Sequence, residues 1–362
     1  MRILLLSDID SEHIEKWAIG LAEMNIQVGL FSFNKAKHDW FKNKINIELL
    51  FQPEETIEAS GFLSKLLYIK HRSLLNKKIN EFKPDILHAH YASSYGLLGA
   101  LSGFHPYVIS AWGTDVMKFP QESPINKLIL KYNLKRADVI CATSNTINGY
   151  VKTIASKATQ VIPFGVNFDD FKQNNSLKKA NCFVIGTIKP LEAIYNIDKV
   201  IRVFAIIHPK NPETELMIVG DGSEKENLLS LVKQLNLENS VKFTGRVKFS
   251  ETPNYFNQLN CLVNISQYES FGVSVVEAMA CKVPVIVSNT GGLKEVVVSN
   301  EMGFLVDPGN IEQTAAAIEK MINDKPHVDS IVEKAYASAK ERFDWNVNLK
   351  QQIVVYQNLL VK

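Results

Sequence analysis

Long apolar runs are missing from this chain of 362 residues. No stretch approaches the roughly 18 consecutive apolar residues of a membrane-spanning helix, so no spanning segment is expected. The run Ile3-Leu4-Leu5-Leu6 is too short for a signal peptide and reads as a first buried strand. Cysteine is scarce. Cys141, Cys182, Cys261 and Cys281 sit in apolar surroundings without metal-ligand spacing, which predicts reduced core thiols rather than a disulfide framework or a zinc site. An excess of one charge is lacking too. Lys and Arg number 40 against 38 Asp and Glu, and the net +2 gives no electrostatic case for nucleic acid as a partner. Low-complexity tracts and short-period repeats are absent, which excludes disordered and solenoid classes. What is present is the composition of a globular protein, 46% hydrophobic and 22% charged. The length suits two domains of roughly 150 to 200 residues.

Short apolar runs alternate with longer amphipathic segments, as in a doubly wound α/β protein. Strands are expected at 3–6, 27–31, 86–89, 107–110, 139–142 and 159–162, with helices between them at 12–24 and 63–81. Turn residues at 162–167 and a polar stretch at 169–180 mark a linker. A second series of strands then begins at 182–186 and continues at 216–219, 241–244, 261–264, 285–288 and 303–306. Two Rossmann-like halves joined near residue 170 would face each other across a cleft at the carboxyl ends of their strands, where open α/β sheets bind ligands.

The run Glu269-Ser270-Phe271-Gly272-Val273-Ser274-Val275-Val276-Glu277-Ala278-Met279-Ala280 places two carboxylates around a turn that opens a helix. A helix N-terminus carries free N–H groups and partial positive charge, which suits a phosphate. Carboxylates beside it would repel that phosphate unless they hold neutral hydroxyls. A ligand with a diphosphate at its centre and polyols at both ends satisfies both, and that is a nucleotide sugar. Glycine turns follow three other strands, at Gly186, at Gly220-Asp221-Gly222 and at Gly291-Gly292, and Lys189 supplies a cation for a phosphate.

With these residues in view, the second half resembles the family 4 retaining glycosyltransferases of the GT-B fold. Their signature, Glu-x-Phe-Gly-x-x-x-x-Glu-Ala-Met-Ala, is matched closely by residues 269–280. Gly220-Asp221-Gly222, Val241 to Gly245, Pro284-Val285-Ile286, Gly291-Gly292 and Gly303 to Val306 follow in the family's order, so the resemblance covers about residues 182–310. The first half is similar more loosely, through Pro84 to His90, Gly113-Thr114-Asp115 and Ile162 to Asn167. The resemblance implies an N-terminal acceptor-side domain at 1–168, completed by a last helix at about 345–362 that crosses back to it, and a nucleotide-sugar domain at 169–344. It also implies roles. Glu277 would accept hydrogen bonds from ribose hydroxyls, and Glu269 from donor-sugar hydroxyls. The amides of Ser270, Phe271 and Gly272 would lie near the sugar and diphosphate. Lys189 would neutralise the departing diphosphate, and Arg246 and Val247 would lie by the base. Gly186, Gly220, Asp221 and Gly222 complete the donor set, and Glu269, Lys189 and Asp115 are the catalytic candidates.

The chain departs from the family at several points. Ala193, Ile194 and Tyr195 stand where a second cation is common, with Arg246 a possible substitute. Trp112 replaces the usual histidine before Gly-x-Asp, so no catalytic histidine is carried onto it, and Asp115 could serve equally as a local cap. His13, Trp17, His90 and Trp112 are the acceptor-side candidates. His88 and His90 share one face of a strand without evident further ligands, which does not make a metal site, and Asp8-x-Asp10 reads as coincidence. Residues 61–83 carry Lys65, Lys70, Arg72, Lys77, Lys78 and Lys83 beside an apolar face, an amphipathic basic pattern that could rest on an anionic membrane surface or pack on the domain.

The expectation is therefore a metal-independent, retaining hexosyltransferase of bacterial cell-surface polysaccharide synthesis. It would pass a sugar from a nucleotide diphosphate donor, UDP before GDP, to a glycan or lipid-linked acceptor. It would need no cofactor, because the nucleotide sugar is a substrate, and would work in the cytoplasm or peripherally at the inner membrane face. A GT-B sugar-nucleotide epimerase and a non-catalytic nucleotide-sugar-binding partner subunit are the alternatives.

Overall fold

The computed structural model describes residues 1–56 and 69–361. The chain forms two compact units, Met1–Pro163 with Asn348–Lys362, and Phe164–Val347.

The first unit holds a seven-stranded sheet: β1 Arg2–Leu6, β2 Gln27–Phe31, β3 Ile47–Phe51, β4 Ile86–His90, β5 Tyr107–Ala111, β6 Val139–Ala142 and β7 Thr159–Val161. All neighbours pair in parallel, in the order β3-β2-β1-β4-β5-β6-β7. β1, β4 and β5 are buried almost throughout, as the centre of a helix-covered parallel sheet requires, with β4 carrying the buried His88 and His90. β3 was not anticipated. It is an edge strand interrupted by Glu48 and only half-buried, so it lacks the continuous apolar run that marks its neighbours.

The helix Arg72–Phe82 corrects part of the basic-helix reading. Its apolar residues Leu75, Ile79 and Phe82 lie in the core of the unit and are not free to enter a bilayer. Lys77 and Lys78 pair with Glu81 on its outer side. Residues 61–68 of that segment lie outside the described residues. No helix among the described residues is long and apolar enough to cross a membrane.

The second unit holds β8 Phe183–Ile188, β9 Thr214–Val219, β10 Val241–Gly245, β11 Cys261–Asn264, β12 Val285–Ser288 and β13 Phe304–Val306. This sheet is also parallel, in the order β10-β9-β8-β11-β12-β13. Both sheets are wound outward from the middle, so each has one place where the strand order reverses, at β1/β4 and at β8/β11.

The expected linker near residue 170 is part of the second unit. Phe164, Val166, Phe168 and Phe171 are all buried. Val166 exchanges backbone hydrogen bonds with Phe343 (2.8 Å) and Trp345 (2.9 Å), so the outgoing and returning segments pair directly. Gly165 is required there, because a Cβ would lie 2.7 Å from the Trp345 Cα.

The last helix, Trp345–Leu360, anchors in the first unit through polar contacts in an apolar setting. Asn348 Nδ2 donates to the Pro163 carbonyl at 2.9 Å. The Tyr356 hydroxyl bonds His88 Nδ1 at 2.6 Å, and His88 Nε2 bonds Ser110 at 2.8 Å. Both His88 and Tyr356 are 1% exposed. Tyr356→Phe leaves the imidazole nitrogen buried and unpaired, and is expected to cost about 1–3 kcal/mol of unfolding free energy. Urea unfolding of the two proteins checks this, and an unchanged midpoint would refute the anchoring role.

Candidate functional site

The reversal between β8 and β11 brings together Lys189 and Glu269. Lys189 follows β8, Glu269 stands on the loop after β11, and their side chains form an ion pair, with 10% and 13% of their surfaces exposed. A pair this enclosed is weakly screened, and removing either partner strands the other charge in a poor solvent. Tyr195 completes the cluster. Its ring lies 5.0 Å from the Lys189 ammonium. Burial, with the charges of Glu269 and Glu192, pushes its phenol up to about 12, so it is a neutral hydroxyl at physiological pH. The turn Ala193–Tyr195 is tied to the segment leading to Glu269: Gln267 N–H donates to Ile194 O and Asn196 Nδ2 to Ile265 O, both at 2.8 Å. Tyr195 stands where a second cation is common in the family, and its residue type alone does not mark it as a partner of Lys189. What stands against Lys189 is an aromatic face, which attracts an ammonium through its quadrupole.

The glycines hold these loops in place. Gly220 has φ +145°, and a Cβ there would collide with the Lys189 carbonyl. Gly222 packs just as closely on Leu191. The Gly220-Asp221-Gly222 turn therefore fixes the backbone that carries Lys189, while Asp221 turns outward to pair with Lys225 at 3.3 Å. Gly291 and Gly292 lie against Glu269 and Ser270 with no room for a Cβ, and Gly292 N–H donates to Glu269 O at 2.8 Å. Phe271 is buried against Phe343, with ring centroids 5.2 Å apart, which pins the loop just before the helix.

That helix is Val273–Ala280, with Gly272 at its N-cap in a left-handed conformation. Glu277, 7% exposed, lies in its second turn. The buried Thr187 Oγ1, Asn264 Nδ2 and Ser274 Oγ have no hydrogen-bond partner, and they belong to the ends of β8 and β11 and to the first turn of the helix. Native proteins leave few such groups unpaired without a reason, and a polar ligand is one.

The turn at Gly186 and Arg246 as the second cation beside Lys189 are both replaced. Gly186 lies within β8, not in a turn after it, and a Cβ there would collide with Leu259, so its role is packing. Arg246 is exposed after β10 and Val247 half-buried, with β9 lying between β10 and β8 in the sheet. The residue against Lys189 is Tyr195 rather than Arg246.

In the first unit, His13, His90 and Trp112 come together. Trp112 meets His90 at 5.2 Å and His13 at 5.8 Å between ring centroids, both edge-on. Tyr91, not singled out in the sequence, joins them at 6.0 Å. Trp17, 6% exposed, belongs to the core. Asp115 is corrected from a catalytic candidate to a loop staple. It is 1% exposed, and its oxygens accept from the backbone N–H groups of Ala92 (2.7 Å), Gly113 (2.8 Å) and Trp112 (3.1 Å). Asp8 and Asp10 likewise serve their own loop, with Asp10 paired to Lys37 at 3.1 Å. Among the described residues, no group of three or more His, Cys, Asp or Glu side chains could hold a metal ion.

Residues 168–338 match the family model described as glycosyl transferases group 1, and residues 2–144 match glycosyl transferase 4-like. An N-acetyl-alpha-D-glucosaminyl L-malate synthase of Bacillus anthracis is 28% identical over 290 residues, covering 76% of this chain and 75% of that one. A putative teichuronic acid biosynthesis glycosyltransferase, TuaC of Bacillus subtilis, is 25% identical over 298 residues, covering 79% and 74%. Among solved structures, a sucrose-phosphate synthase of Thermosynechococcus elongatus superposes with TM-score 0.87 at 21% identity, over 100% of this chain and 99% of that one. Anabaena Alr3699/HepE in complex with UDP-glucose gives 0.81 at 24%, over 99% and 100%. These likenesses establish the shared two-domain fold.

The imidazoles of the first unit make its stability depend on pH. Burial lowers His90 to about 3 and His13 to about 4, and takes His88 well below its ordinary value. The unfolded chain takes up these protons near pH 6.5 while the folded chain does not. Stability is therefore complete above pH 6.5 and falls below it, by at most about 1.4 kcal/mol per pH unit for each histidine. Burial raises the Asp115 carboxyl, which titrates in the opposite sense. Comparison with His90→Phe isolates one imidazole: between pH 7 and pH 5 its urea midpoint should fall less steeply than that of the wild type, and equal slopes would refute the assignment.

Proposed function

The chain belongs to the family 4 glycosyltransferases of the GT-B fold, and from that premise we propose that it transfers a hexose from a nucleoside diphosphate sugar, UDP before GDP, to a glycan or lipid-linked acceptor. The observation that carries the donor assignment is the enclosed Lys189–Glu269 pair at the β8/β11 reversal, next to the N-terminus of Val273–Ala280. Alone, a lysine and a glutamate neutralise each other. A donor gives each of them a further partner, phosphate oxygens for Lys189 and sugar hydroxyls for Glu269.

Glu277 would hold the ribose, and the Ser270 to Gly272 amides would face the sugar and diphosphate. In the reaction, the bond between the anomeric carbon and the diphosphate oxygen breaks. A bond from that carbon to an acceptor oxygen forms on the same face, and the acceptor proton passes to the departing diphosphate. Negative charge grows on the diphosphate as it leaves. Positive charge fixed beforehand at that point is the main electrostatic contribution a protein can make. Lys189 and the helix N-terminus supply it, so a divalent cation is not needed.

The curated relative named for teichuronic acid biosynthesis supports an acceptor in bacterial polysaccharide assembly, and the UDP-glucose complex of the Anabaena structure supports a UDP donor. A lipid-linked acceptor would bring the chain to the cytoplasmic membrane face, where exposed Arg72, Lys77 and Lys83 offer electrostatic attraction rather than apolar insertion.

Removing Glu277 should act mainly on binding and removing Glu269 mainly on turnover. Glu277→Ala is expected to weaken UDP binding by roughly ten- to a hundredfold, the loss of a hydrogen bond to a charged group. Glu269→Ala is expected to lower kcat by a similar factor with smaller effect on UDP affinity. Thermal shift with UDP and acceptor-dependent UDP release measure the two, and wild-type values in both variants would sink the assignment. UDP release should survive EDTA. Epimer formation from donor alone would favour the epimerase instead.

A further inference from the structure

The helix Pro124–Arg136, between β5 and β6, is apolar on two sides. Its inner side is ordinary. Leu130 and Leu134 belong to the core of the first unit, and Asn133 Nδ2 donates to the Ala92 carbonyl at 2.9 Å. At 3.6 residues per turn, Ile125, Leu128 and Tyr132 fall on the opposite side, spaced i, i+3 and i+7. They are 52%, 67% and 43% exposed. Single apolar residues on a surface need no explanation, but a stripe of them turned away from the core does.

Charge on this helix is of one sign. Lys127, Lys131 and Lys135 form a row along one edge of the stripe, Arg136 lies on the other edge, and all four are exposed. The helix itself has no acidic residue. The acids that flank it in sequence are engaged, Glu122 with Asn126 at 3.0 Å and Asp138 with His105 at 2.7 Å. None of the three lysines is ion-paired among the described residues. Helix stability does not account for the row. Cations in the last turn complement the macrodipole, which covers Lys135 and Arg136, but Lys127 stands in the first turn, where the dipole opposes it.

We propose that this helix docks the first unit onto an anionic lipid surface. Apolar side chains bordered by lysines suit a helix lying in a bilayer interface, with the stripe among acyl chains and the ammonium groups at the headgroups. Tyr132 suits the same depth, because its ring is apolar and its hydroxyl polar. A second copy of the chain fits less well, since a two-fold contact would set four cations against four. The neighbouring helices agree. The connections from β3 to β4, β4 to β5 and β5 to β6 cross the sheet in one direction, so right-handed crossovers put Arg72–Phe82, Ser94–Ser102 and Pro124–Arg136 on one face. Ser94–Ser102 packs against both of the others. Exposed Arg72 and Lys77 add attraction on that side of the sheet, and insertion falls to Ile125, Leu128 and Tyr132. This docking is argued from the helix alone, so it holds whether or not the acceptor is lipid-linked.

The test uses the full chain and co-sedimentation with vesicles of phosphatidylcholine, alone or mixed with phosphatidylglycerol. At low salt the mixed vesicles should bind on the order of tenfold more tightly than the neutral ones, and added salt should narrow the gap. Leu128→Gln should weaken binding to mixed vesicles on the order of tenfold. Replacing Lys131 and Lys135 together by Gln should remove most of the preference for phosphatidylglycerol. These side chains are exposed, so neither change should move the urea midpoint. Tyr132→Trp reports depth: lipid brominated on its acyl chains should quench the added emission, which adsorption by charge alone would leave intact. No binding to mixed vesicles, equal binding by the Leu128→Gln protein, or unquenched emission in the Tyr132→Trp protein would each overturn the proposal. A dimer that Leu128→Gln dissolves, with vesicles unbound, would overturn it in favour of a second copy. A UDP thermal shift run alongside separates the readings: its absence with vesicle binding intact refutes the donor assignment and leaves this surface standing.

Discussion

In a parallel sheet wound outward from its middle, the two central strands send their connections in opposite directions. The gap between those connections is where a ligand can reach strand-end side chains and backbone together. Both units of this chain are organised around such a reversal. The apolar runs of β1, β4, β8 and β11 are short because each strand only has to cross a buried layer. The loops after them are long in chemistry because they alone face the gap. Buried strands supply rigidity, and loops held by glycine close approaches and buried hydrogen bonds supply function.

The second unit shows how closely these levels depend on one another. Lys189 is useful only if its backbone is fixed, and that is set by Gly220, where any side chain would strike the Lys189 carbonyl. Glu269 is useful only if its loop is fixed, and Gly291, Gly292 and the Phe271 anchor set that. The ion pair then holds the two side chains ready before any ligand arrives, at the cost of keeping two charges out of water. The expense is tolerable because the arrangement is mutual: each charge is the other's solvent.

The sequence was legible where chemistry follows from spacing. The strands at 27–31, 139–142, 261–264 and 285–288 were recovered at their full length because each is an apolar run closed by turn residues. Glu269 and Glu277 were legible because their positions around a helix start have a physical meaning on their own. What stayed hidden depends on tertiary contact. β3 is a half-exposed edge whose Glu48 breaks the pattern. Tyr195 gains its meaning from the hydrogen bonds of Ile194 and Asn196 to the Glu269 loop, pairs separated by about 70 residues. Asp115 stood open between chemistry and a local cap, and the surrounding amides show it as a staple. Tyr91 is hidden more deeply still, since its distinguishing property is a backbone angle that no side-chain pattern encodes.

The same topology thus carries two different chemistries, and the difference lies in how each crevice handles charge. In the second unit, charge is retained by pairing, so the site is suited to a partner that develops charge. In the first, charge is held back: burial keeps His90 and His13 neutral, and the buried Asp115 carboxyl is engaged by the backbone amides of Ala92, Trp112 and Gly113. An uncharged imidazole can both donate and accept, a capacity lost on protonation. The proposed transfer would use these two properties in separate places, because its leaving group is an anion and its attacking group a neutral hydroxyl. One strand order, used twice with opposite electrostatics at its two reversals, would meet that need without a second architecture.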